Sequence, residues 1–145
     1  MIEDPFNLER FVSAQAAVFE QVLDELRVGA KRTHWIWFIF PQMKGLGHSP
    51  QANYFGIGSL EEAVAYLRHP VLGPRLARCT RLVTLVEGRA IRQILGDPDD
   101  MKFHSSMTLF AHASQKAGLD ATDFNDALKK YFNGEPDSLT VSLLL

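Results

Sequence analysis

Thr33-His34-Trp35-Ile36-Trp37-Phe38-Ile39-Phe40-Pro41 is the stretch on which the fold class turns. Its aromatic and β-branched residues suit a strand, yet the run is too short for periodicity to separate a strand from a buried helical turn. A strand needs a partner, and Asn53-Tyr54-Phe55-Gly56-Ile57 is the candidate, reached through a loop marked by Gly45, Gly47 and Pro50. Two readings stay open: a wholly helical chain, or a mainly α fold with one short strand pair.

On either side of this stretch the pattern is helical. Leu8, Phe11, Val12, Phe19, Val22, Leu23 and Leu26 recur at three- and four-residue steps. That spacing predicts a helix with Asp4 as its cap, Pro5 in its first turn and Gly29 as its stop. Ser59-Leu60-Glu61-Glu62 fits a capping box and predicts a helix from Leu60 to about Arg68, ended by His69-Pro70. After Gly73-Pro74 another helix runs to Gly88, and a short one covers Arg89 to Leu95. Asp97-Pro98-Asp99-Asp100 starts a helix that Gly118 closes, because first-turn carboxylates complement the positive end of the helix dipole. Helices from about Thr122 to Phe132 and after Pro136 complete the chain.

A chain of 145 residues has the length of one domain, and 46% hydrophobic with 22% charged residues excludes a disordered composition. No repeat or long linker argues for a second domain. The longest apolar run, Trp35 to Phe40, has six residues, against about 20 for a membrane helix. Met1-Ile2-Glu3-Asp4-Pro5 carries acids where a secretory signal carries basic residues, which predicts a cytoplasmic protein. Cys79 is the lone cysteine, so no internal disulfide or thiolate zinc site is expected. His34, His48, His69, His104 and His112 include no pair at helical metal-binding spacing, and no G-x-S-x-G elbow marks a hydrolase. No metal and no cofactor is implied.

Two segments carry the chemistry. Lys31, His34, Trp35, Trp37, Gln42 and Lys44 gather cations, an imidazole, indoles and an amide within a short span. Lysines can neutralise phosphate, an indole can stack on a base or sugar, and Gln42 can hydrogen-bond a base edge. Trp and Phe at such density are more often core residues, and Trp35 and Trp37 read first as core. Lys44-Gly45-Leu46-Gly47-His48-Ser49 can form an anion-binding nest, but it lacks the ending of a P-loop and also reads as a plain turn. Downstream, Asp99, Asp100, Lys102, His104, Ser105, Ser106 and Thr108 crowd one helix. Ser and Thr are moderate helix formers, so their density calls for backbone hydrogen bonds or a polar face turned to a ligand.

The expected site is a shared hollow in which Lys31, His34, Trp35 and Gln42 meet Lys102, Ser105 and Ser106, with Asp100 as the carboxylate for proton transfer. Its ligand would be a phosphorylated small molecule of nucleotide or ADP-ribose type, and any chemistry would be glycosidic hydrolysis. The competing reading is a non-enzymatic interaction module. In it, Arg75, Arg78 and Arg81, with Arg68, Arg89 and Arg92 nearby, present a basic helical face to an acidic partner. A formal charge of −2 provides no global attraction to nucleic acid.

Four ordered runs carry a family resemblance: D-P-F-N-L-x-R-F-V-x-A-Q at 4–15, K-x-x-H-W-I-W-F-I-F-P-Q-M-K-G-L-G-H-S at 31–49, E-A-V-A-Y-L-x-H-P-V-L-G-x-R-L at 62–76 and D-x-x-K-F-H-S-S-M-T-L-F at 99–110. Together they resemble the domain-of-unknown-function family numbered 1810 over nearly the whole chain. The resemblance implies a compact, mostly α-helical bacterial protein and brings no reaction with it. Members are sometimes labelled calpastatin, an unstructured inhibitor whose physics a core-rich domain does not share. The order of the E-A-x-x-Y-L helix, the R-L helix, the I-L-G-D turn, the lysine-bearing helix and the closing L-K-K-Y-F helix is also similar to the NADAR fold, whose members act on ADP-ribose-linked substrates. The catalytic acidic and aromatic positions of that fold have no residue-by-residue match in this sequence.

Overall fold

The aromatic stretch is helical. In the computed structural model, which describes residues 3–145, Ile36–Ile39 form a single turn that Phe40 ends by leaving helical geometry, φ −124° and ψ 75°, before Pro41. The proposed partner strand is helical too. Ser49 accepts a hydrogen bond from the Ala52 amide at 3.1 Å and Pro50 takes the first position, so Pro50–Phe55 winds as a helix. Of the short strand pair there remains one parallel bridge, Met43 with Ile57. The Lys44 amide donates to the Ile57 carbonyl at 2.8 Å, and the Ile57 amide donates to the Gln42 carbonyl at 2.9 Å. Gly56 permits this approach, since a Cβ there would stand 2.8 Å from the Lys44 Cα. Met1 and Ile2, part of the start read for its lack of a signal, lie outside the described residues.

The described residues form ten helices: α1 (Glu9–Ala16), α2 (Phe19–Val28), α3 (Ile36–Ile39), α4 (Pro50–Phe55), α5 (Leu60–Arg68), α6 (Leu72–Leu85), α7 (Ile91–Leu95), α8 (Asp99–Ala117), α9 (Thr122–Phe132) and α10 (Ser138–Leu144). The single N-terminal helix expected from Asp4 to Gly29 is two, broken where Val18 leaves helical geometry. Asp4 caps a later start than expected, its carboxylate accepting from the Leu8 and Glu9 amides at 2.7 and 2.9 Å. Gly29 closes α2 in the left-handed conformation, φ 81°. Ser59 caps α5 through the Glu62 amide, but the Glu62 carboxylate turns to Gly58 and Arg10 rather than completing the box. Helix α6 starts ahead of Gly73 and ends at Leu85, short of Gly88. Asp97 does not cap α8; it lies 3.5 Å from Arg92, and the helix begins after Pro98.

Helix α8 is the axis of the molecule, packing against α5, α7, α9 and α10. It is buried on several sides at once: Phe103, Met107, Leu109, Phe110 and Ala113 are all inaccessible to solvent. Each such large side chain contributes about 1.5–3 kcal/mol on burial. Phe103 meets Phe40 edge-on at 4.9 Å, and Phe110 lies 5.2 Å from Tyr66, tying α8 to α3 and α5.

Two buried polar clasps fix the segments that have no helical hydrogen bonds. The Arg10 guanidinium makes five hydrogen bonds, to the carbonyls of Phe6, Asn7, Tyr54 and Gly56 and to the Glu62 carboxylate at 2.7 Å. Glu25 accepts from the Arg32 amide (2.7 Å), the Thr33 amide (3.0 Å), the Thr33 hydroxyl (2.7 Å) and the Trp35 indole (3.0 Å). The second clasp is what points the chain from α2 into the aromatic turn. No helix among the described residues is long and apolar enough to cross a membrane.

Candidate functional site

Pro41 ends the aromatic turn and the Met43–Ile57 bridge holds the next residues, so Gln42 and the Leu46-Gly47 loop come to lie over the start of α8. There α8 presents Met101, Lys102, His104 and Ser105, and the segment leading into α10 adds Asp137 and Leu139. These walls enclose a hollow of about 240 Å³. Three of the expected residues, Gln42, Lys102 and Ser105, line it. A second cavity of about 10 Å³, the size of one water, shares Gln42 and Lys102 and is lined by Trp37. The Trp37 indole N–H is buried there without a partner among the described residues.

The electrostatics come from two carboxylates. Asp99 sits 2.8 Å from the Lys31 ammonium and 3.8 Å from that of Lys102. The shorter contact engages its charge with Lys31, which leaves Lys102, 5.5 Å from the Trp37 ring, with an excess of positive charge toward the hollow. On the opposite wall, partial burial would raise the pKa of Asp137. The Thr140 and Ser105 hydroxyls and the Thr140 amide donate to it and bring the pKa below the usual carboxylate value, so Asp137 stays ionised. Thr108 accepts from the Asp137 amide at 2.9 Å and donates to the His104 carbonyl at 2.9 Å. The His104 ring stacks on Phe132 at 3.9 Å, with Nε2 2.8 Å from the Glu135 carbonyl, so that nitrogen carries the hydrogen.

The remaining expected residues lie elsewhere. Trp35 is 1% exposed and its indole is bound to Glu25. Lys31 is buried in its pair with Asp99 and lies 5.1 Å from the Trp35 ring. His34 is exposed and does not line the hollow. Ser106 faces the interior with a hydroxyl that has no partner among the described residues. Asp100 is half-buried with one carboxylate oxygen unpartnered among the described residues, and it too is absent from the walls. The arginines are dispersed: Arg75 lies over the Phe19 ring and donates to Gln15, Arg81 pairs with Asp123 and Arg92 with Asp97. Among the described residues no three metal-ligating side chains gather in one place.

Sequence reasoning missed Asp137, the carboxylate of the hollow, although an Asp directly before Ser138 after a proline is an N-cap signal. It also missed Glu25, whose place between Leu23 and Leu26 on a buried face was the available clue.

Comparison with known proteins bears on lineage. No curated protein matches the chain. A crystal structure described as the conserved hypothetical protein Rv1873 from Mycobacterium tuberculosis is 57% identical, over 97% of this chain and 98% of that one, with a TM-score of 0.93. A family model described as "Protein of unknown function (DUF1810)" matches residues 5–144. The chain is thus similar to that mycobacterial protein from end to end, and it belongs to the DUF1810 family.

Proposed function

We propose that the hollow between the Gln42–Gly47 segment and α8 binds the phosphate-bearing end of a nucleotide or ADP-ribose-type ligand. The observation that carries this reading is the meeting of Gln42 with Lys102 and Ser105, from segments far apart in the chain, around one accessible space. Lys102 supplies the cation for a phosphate. Gln42 and ionised Asp137 offer hydrogen bonds to donor groups of a base or sugar, and Leu46, Met101 and Leu139 provide an apolar wall for a ring. A space of about 240 Å³ falls below the roughly 300–1,000 Å³ of sites that enclose a drug-sized ligand. It therefore takes one ring with its phosphate, and the rest of a larger ligand such as ADP-ribose lies outside.

The reading is of binding rather than hydrolysis. Glycosidic cleavage needs a carboxyl group that exchanges a proton at the bond, whereas Asp137 is held as an acceptor and Asp100 does not reach the walls. Thermal-shift and ligand-observed NMR titrations with AMP, ADP-ribose and ribose 5-phosphate test it. Binding is expected for at least one of them, lost in Lys102→Ala while the free variant keeps its fold. Absence of any response at millimolar ligand rejects the reading.

A further inference from the structure

On the far side of α5 from its buried face lies a second, larger trough of about 510 Å³. Leu60, Val64 and Ala65 of α5 floor it together with the last turn of α8, and Glu61, Arg68 and Lys116 stand at its rim. Glu61 and Arg68 are both exposed, and neither has an ion-pair partner among the described residues. Seven residues separate them, which is two helical turns, so they project from the same side of α5 about 10 Å apart.

That spacing makes the face complementary to itself. If a second α5 runs antiparallel along the first, with the two-fold axis between Val64 and Ala65, then Glu61 of each copy meets Arg68 of the other. Val64 and Ala65 lie on either side of the Glu61–Arg68 line, so each meets its own counterpart in the other copy, and these short apolar side chains allow close approach of the helices. A parallel arrangement would set Glu61 against Glu61 and Arg68 against Arg68, so the charges also choose the direction. We infer that this trough is the contact of a weak two-fold dimer, occupied by α5 of a second copy of this chain. A contact built on one nine-residue helix with two exposed ion pairs lies at the transient end of protein association.

Sedimentation equilibrium of the full chain, from micromolar to millimolar concentration in low salt, tests the inference. The expected result is a mass rising from monomer toward dimer, with the rise suppressed by added salt. Glu61→Lys and Arg68→Glu should each weaken association about tenfold, as like charges then face each other. The combined E61K/R68E chain restores opposite charges and should return to the wild-type dissociation constant. Circular dichroism melts show that the single variants remain folded, and Glu61→Gln, which only removes one charge, provides a milder version of the same comparison. A monomer throughout the range, single variants that associate as wild type does, or a double variant no better than the singles overturns the proposal. A partner of a different kind on this face would leave the chain monomeric by itself and so falls among the overturning results.

Discussion

Replacing Glu25 with Gln removes one charge from the centre of five donors, the Gln21 side-chain amide among them, and turns an amide NH2 toward groups that need acceptors. The magnitude follows from the carboxylate's own titration. Burial would raise its pKa above 4.5, but the Arg32 amide, the Thr33 hydroxyl and amide and the Trp35 indole together hold it down at about 2. At ~1.4 kcal/mol per tenfold change, that displacement corresponds to roughly 3 kcal/mol of folding stability near neutral pH. Because the folded-state pKa is depressed, the stabilisation is complete above the unfolded value of 4.5 and drains away as pH falls toward 2. The wild type should therefore exceed Glu25→Gln by roughly 3 kcal/mol near pH 7, with about 2 kcal/mol of that advantage gone near pH 3. Urea titrations at the two pH values, followed by far-ultraviolet circular dichroism and tryptophan emission, measure both quantities. A gap below about 1 kcal/mol near neutrality, or one that does not narrow in acid, refutes the assignment of Glu25 as the anchor of the aromatic turn.

Two further outcomes are expected. Arg10→Ala leaves the Glu62 carboxylate buried without its cation and two backbone segments untied, and should cost about 3–5 kcal/mol in a denaturant titration. Arg10→Lys, which keeps the charge but not the planar fork, should recover less than half of that loss, and full recovery would show that charge alone matters. Cys79 is 1% exposed, and burial, opposed in part by Arg78 and Arg75, pushes its thiol up to about 12. It should not react with an aromatic disulfide reagent near pH 8 until denaturant is added, and prompt native-state labelling would contradict its placement.

Helices with a marked start or stop were legible in the sequence. Helix α9 runs from Thr122 to Phe132 as expected, and Gly118 closes α8. The aromatic turn was ambiguous because a single helical turn offers no period, and its helicity is imposed from outside by Glu25 and Phe103. The break at Val18 was invisible for the opposite reason: the apolar spacing continues smoothly across it. The site divides in the same way. Lys102 and Ser105 were legible because hydroxyl-rich helices need an explanation, and Gln42 because it follows the aromatic run. Lys31 read as a free cation since its counter-ion, Asp99, comes much later in the chain. Asp137 enters the hollow through a fold of the last loop that no local pattern encodes.

Asp137 joins the C-terminal tail to the wall of the hollow, two parts of the molecule that look separable along the chain. Its Oδ2 atom holds the first turn of α10 through Thr140 and also receives the Ser105 hydroxyl from that wall. Trimming the chain before Ser138 as a dispensable tail would strip Leu139 from one wall and leave the carboxylate free to rotate away. A fusion attached after the fully exposed Leu145 leaves that wall untouched.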